Sequence, residues 1–167
     1  DWFFTTDGDD VAEIANSTTG AGDVNTASGA FRMASSGDLD VFRSFTALQA
    51  GDVLSFDLSV DFRNPGSKGF DLRSDAGGGI GVFNFNVAGD NYFFGGTDLG
   101  ALGWSYVADG VYGLEFEFVT ETIINAKITR TSLTDMTREF ELTGVDLGNT
   151  VNNLKFYVSD NGNTDAD

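Results

Sequence analysis

The sequence predicts an all-β protein, an antiparallel two-sheet β-sandwich of the jelly-roll kind. Three observations carry that expectation. Apolar and polar residues alternate without error over Leu54–Phe62, and only a strand gathers all five apolar side chains on one face. Turn signals rich in Gly, Asp and Asn recur at roughly ten-residue spacing. No segment shows a 3.6-residue apolar period.

In chain order, short apolar segments at Trp2–Phe4, Ala30–Met33 and Val41–Phe45 read as strands, followed by the Leu54–Phe62 run. Phe70–Arg73 comes next. Then Phe83, Phe85 and Val87 alternate with Asn84 and Asn86. Tyr92–Phe94 and Trp104–Val107 are two further short segments. Tyr112, Leu114, Phe116 and Phe118 alternate with Gly113, Glu115 and Glu117, and Ile124, Ala126 and Ile128 with Asn125, Lys127 and Thr129. Arg138–Leu142 precedes a last alternation of Leu154, Phe156 and Val158 with Lys155, Tyr157 and Ser159. Between them stand Ala50-Gly51-Asp52, Asn64-Pro65-Gly66, Gly77-Gly78-Gly79, Ala88-Gly89-Asp90, Ala108-Asp109-Gly110 and Asp160-Asn161-Gly162, each a turn. Clean alternation requires one wet face per sheet. Phe56, Leu58, Val60, Phe116 and Phe156 are expected in the core. One domain spans residues 1–167, with 1–7 an edge or donor strand; Asn16–Ser28 is the one long polar loop.

Composition narrows the function. Twenty-six acidic residues against nine basic give a net charge of −17, a surface that repels nucleic acid and anionic lipid. Sixteen Phe supply a core from large rings. With no Cys there is no disulfide framework or zinc–thiolate site, and with no His the commonest general base is missing. No apolar run reaches the ~18 residues of a membrane span. The acidic, Asp-rich and Lys-poor surface points to an extracellular setting, secreted or at the cell surface. The start Asp1-Trp2-Phe3-Phe4 has no basic leader, so any signal peptide is expected to have been removed.

The stretch GAFRMASSGDLDVFRSFTALQAGDVLSFDLSVDF resembles part of a bacterial extracellular jelly-roll module, as do KGFDLRSDAGGGIGVFNFNVAGDNYFF, ADGVYGLEFEF and NNLKFYVSDNGNTDAD. Together they are similar to concanavalin/laminin-G-like carbohydrate-binding modules over about residues 29–167. The resemblance implies a glycan-binding or adhesive role, with a structural calcium. It also implies a short aromatic strand after Asp160–Asp167, where this sequence stops.

Asp160, Asn161, Asn163, Asp165 and Asp167 supply the carboxylate and amide oxygens that calcium takes from a short loop. They lack an EF-hand's closing Glu, and a solvated turn is the alternative. Asp7, Asp9 and Asp10 form a second acidic group. Tyr92, Trp104 and Tyr106, with Asp90 and Asn91, combine stacking faces and polar partners for a polysaccharide; core packing competes for the same rings. Arg63, Arg73 and Lys68 form a local basic group able to clamp an oxyanion, unless they pair with nearby Asp across strands. Glu115 and Glu117 share a face but do not complete the E-x-D-x-x-E pattern of jelly-roll glycosidases, so no catalytic residue is expected.

Two functions follow as expectations. One is a non-catalytic extracellular glycan-binding module whose partner is a polysaccharide. The other is a structural subunit of a filament or surface assembly, in which Trp2–Thr6 of one copy completes the sheet of the next.

Overall fold

The structure, a computed structural model, describes residues 2–6, 11–15, 30–34, 37–60, 66–75, 79–88 and 91–159. It contains thirteen strands: β1 (Trp2–Thr6), β2 (Val11–Ala15), β3 (Ala30–Ala34), β4 (Leu39–Ser44), β5 (Val53–Ser59), β6 (Ser67–Ser74), β7 (Ile80–Ala88), β8 (Asn91–Phe94), β9 (Thr97–Asp98), β10 (Val111–Phe118), β11 (Ile123–Thr131), β12 (Arg138–Asp146) and β13 (Asn153–Ser159). Among the described residues the one helical element is a 3-10 turn at Gly100–Leu102. No helix among them is long and apolar enough to cross a membrane, which leaves β-barrels aside.

The strands form an antiparallel β-sandwich. The larger sheet has the order β1-β4-β13-β6-β7-β8-β9 and the smaller β12-β11-β10-β5; β2 and β3 pair separately. The chain passes between the sheets at β4→β5, β5→β6, β9→β10 and β12→β13, so each sheet gathers strands distant in sequence.

The alternation of the sequence becomes two faces. Phe70 and Leu72 of β6, Phe83, Phe85 and Val87 of β7, and Tyr112, Leu114, Phe116 and Phe118 of β10 are buried between the sheets. Phe116 is the hub. Its ring lies 5.7 Å from Phe70 and 5.4 Å from Phe83, both edge-on, an arrangement that the ring quadrupole favours.

Of the five expected core residues, Val60 and Phe116 are buried, whereas Phe56, Leu58 and Phe156 are partly buried against the same cluster. Phe56 and Leu58 belong to β5, the edge of the smaller sheet, where a strand has a neighbour on one side only. Phe156 meets the sandwich through Phe56, 5.5 Å away, and so sits under that same edge.

Two strand assignments need correction. Trp104–Val107 is a loop, because Trp104 turns inward to cover the Arg130 guanidinium at 5.6 Å rather than entering a ladder. Val11–Ala15 is a strand that the pattern hid, since Val-Ala-Glu-Ile-Ala places apolar residues on both faces. The N-terminal strand finds its partner within the chain. Trp2–Thr6 pairs antiparallel with Leu39–Ser44, and β13 takes the other side of β4.

Candidate functional site

The outer face of the larger sheet is a grid fixed by strand register. One row runs Phe42, Lys155, Asp71, Asn84 across β4, β13, β6 and β7; the next runs Asp40, Tyr157, Gly69, Asn86. Each of these residues alternates with a core residue on its own strand, so the buried positions dictate that these point outward.

Lys155 is the centre. Its Nζ lies 3.2 Å from Asp40 Oδ1 and 3.6 Å from Asp71 Oδ2, and 4.9 Å from the centre of the Tyr157 ring. Lys155 and Asp71 each keep only 17% of their side-chain surface exposed, so this pair is screened less than a surface ion pair. Asn84 Nδ2 donates to Asp71 Oδ1 at 2.8 Å and to the Tyr157 hydroxyl at 2.9 Å. That hydroxyl in turn donates to the Phe85 carbonyl at 3.2 Å. Burial, with Asp71 and Asp40 nearby, pushes the phenol pKa up to about 12. It therefore stays protonated at neutral pH, a donor rather than a base.

Gly69 makes this packing possible. A Cβ there would stand 1.9 Å from the Phe85 carbonyl oxygen and 3.0 Å from the Tyr157 hydroxyl. Tyr157, opposite Gly69 in register, lays its ring over the gap, a cross-strand covering of a bare glycine. Asp38, Asp40, Asp71, Asn84, Lys155, Tyr157 and Ser159 line an open groove of about 400 Å³.

The expected aromatic platform is not assembled. Tyr92 is buried with its ring 5.8 Å from Tyr112, Trp104 is 5% exposed against Arg130, and Tyr106 is partly buried against the core. Core packing has claimed these rings: Tyr92 faces inward opposite Val87 on β7, and the loop after the 3-10 turn folds Trp104 and Tyr106 against the core. Asn91 opens β8 opposite Ala88; Asp90 lies outside the described residues.

The basic group is likewise divided. Lys68 shares the inward face of β6 with Phe70 and Leu72, whereas Arg73 is of the other parity and faces outward. Arg73 is engaged with Asp71 at 3.4 Å and stacks 5.9 Å over Phe42. Arg63 lies outside the described residues, as do Asp160, Asn161, Asn163, Asp165 and Asp167, and Asp7, Asp9 and Asp10. Among the described residues no three acidic, His or Cys side chains are grouped to hold a metal ion. In the groove, Lys155 occupies the place between the carboxylates. Glu115 and Glu117 are exposed on the smaller sheet, and Glu117 accepts from Asn125 at 2.9 Å.

A second polar cluster has a structural task that the sequence reading overlooked. Arg130 is fully buried, donates to the Ser105 carbonyl and to Asp135, and stacks on Trp104. Asp109 accepts from the hydroxyls of Ser132 and Thr134, both at 2.8 Å, and from the Leu133 amide at 2.6 Å. These bonds, led by the two hydroxyls, hold its pKa down to about 2. The Met136 amide, then Arg130, lowers that of Asp135. These bonds run to the chain's own loop, so this cluster fastens residues 132–136. Arg130 was legible in principle: it follows Ile124, Ala126 and Ile128 at even spacing, an arginine in an inward register.

Fold and site together define a β-sandwich with a groove of polar side chains on the outer side of its larger sheet. No family model, curated protein or solved structure matches the chain.

Proposed function

We propose that the protein is a non-catalytic, extracellular glycan-binding module, secreted or surface-borne, and that the Lys155 groove is its ligand site. The observation that carries this reading is convergence. An ammonium, carboxylates, an amide and a phenol meet in one open groove on a rigid sheet, with their mutual hydrogen bonds holding them in place. Sugar hydroxyls both donate and accept, so they need carboxylate acceptors beside amide and ammonium donors. The resemblance to concanavalin/laminin-G-like modules points the same way. The Tyr157 phenol holds its proton at neutral pH and so serves the groove as a donor. Calcium at Asp160–Asp167 belongs to this proposal on the strength of ligand spacing. Calcium bound to the native state would raise the melting temperature, and a melting curve unmoved by EDTA would remove it.

The site is tested by Asn84→Ala. Removing the amide frees both Asp71 and Tyr157 and should weaken retardation in a polysaccharide-containing native gel about tenfold. Unchanged retardation in a folded variant rules the groove out as the binding site.

The assembly reading, in which copies exchange their N-terminal strand, has one observation to meet: β1 is already paired with β4 of its own chain. Oligomers or fibres in negative-stain microscopy would restore it.

A further inference from the structure

Building on the glycan-binding reading, we infer that the groove accepts uncharged sugar chains and rejects chains carrying uronate or sulfate groups. Three carboxylates, Asp38, Asp40 and Asp71, line it against one ammonium, Lys155. That ammonium is already held by Asp40 and Asp71 at 3.2 and 3.6 Å. Arg73, the next cation on this face among the described residues, is held by Asp71 and covers Phe42. Lys68, which would complete a basic clamp, points into the core. An incoming oxyanion that reaches Lys155 must lie beside Asp40 and Asp71, a like-charge contact in a partly dehydrated groove. A neutral diol meets no such conflict. Its hydroxyl protons go to carboxylate oxygens, and its lone pairs face the Lys155 ammonium.

The experiment is affinity electrophoresis of the full chain. One set of gels contains hydroxyethylcellulose or galactomannan, another alginate or carrageenan, and a third no polymer. Retardation by a neutral polymer, little changed from about 50 to 500 mM salt, and none by the acidic polymers is the expected result. Asp40→Asn with Asp71→Asn uncovers Lys155. That double variant should gain retardation on alginate, and adding Lys155→Met should abolish the gain. Asp57→Asn with Glu121→Gln, exposed on the smaller sheet and its β10–β11 turn, adds the same charge and should gain nothing; if it does, the protein's total charge and not the groove excludes acidic chains. Salt-sensitive retardation of the wild-type protein by alginate or carrageenan overturns the inference and leaves glycan binding standing. No retardation by any polymer overturns both. Because the salt series uses the wild-type chain, the inference remains falsifiable even where a variant fails to fold.

Discussion

Lys68 shares the inward face of β6 with Phe70 and Leu72 and is buried with them, and burial lowers its pKa to about 8. In the unfolded chain the same group titrates near the ordinary lysine value of 10.5. Below pH 8 the folded state carries the full cost of an ammonium in the core. Between pH 8 and 10.5 the unfolded chain binds more protons than the folded one, so stability rises with pH. Above about pH 10 tyrosine acts in the opposite sense, since Tyr112 and Tyr157 are raised by burial. The melting temperature is therefore expected to climb from pH 8 to about 10, and Lys68→Met should flatten that climb. A wild-type curve that is level across the interval contradicts it. Parity made both inward cations, Lys68 and Arg130, readable from the sequence. The partners of Arg130 were not readable, because Ser105 and Asp135 reach it through loops with no period.

Strands with clean alternation were legible because one side of each must be dry. β5, β7, β10, β11 and β13 all follow the apolar pattern. Where a segment's burial is decided by a single large side chain, as at Trp104, the pattern misled. β12 carries a device that no pattern announces. Ile124 faces Val145 and Ala126 faces Leu142, so Asn125 stands opposite two residues, Thr143 and Gly144. Gly144 has φ 65° and donates its amide to Asn125 Oδ1 at 3.1 Å. The bulge bends an edge strand that would otherwise offer its ladder to another molecule. A Cβ at Gly144 would meet open space, so Gly144→Ala isolates the backbone cost. It should destabilise by about 1–2 kcal/mol in chemical denaturation. A neutral result would mean that the bulge relaxes without the left-handed residue. The edge at the other sheet is testable by deletion. Removing residues 1–6 strips β4 of its β1 partner, and the loss of that ladder should cost on the order of a few kcal/mol and leave a less stable, stickier monomer. A truncated protein as stable and as monomeric as the whole would show that β1 completes nothing.

At the scale of the molecule the candidate groove was not legible, and the reason is register. Lys155 and Asp40 are 115 positions apart, and nothing local to either says that β13 will lie between β4 and β6. The outward direction of Lys155 and Tyr157 could be read; their company could not. The charge was legible at once and makes its own prediction. With 26 acidic and 9 basic residues, the excess of negative charge repels itself within the folded protein. Moderate sodium chloride should raise the melting temperature by screening that repulsion. If salt lowers it, the ion pairs around Lys155 and Arg130 outweigh the excess charge.

The insertion of β13 into the middle of the larger sheet also bears on how the protein is made. During synthesis, β4 and β6 emerge long before the strand that joins them, so the sheet waits as two separate pieces. Lys155, Tyr157 and Ser159 arrive on that same strand, and with them the middle of the groove. Ligand capture would then mark the moment β13 has docked. A nascent chain released before Asn153 should hold no sugar, however much of its sandwich has already formed.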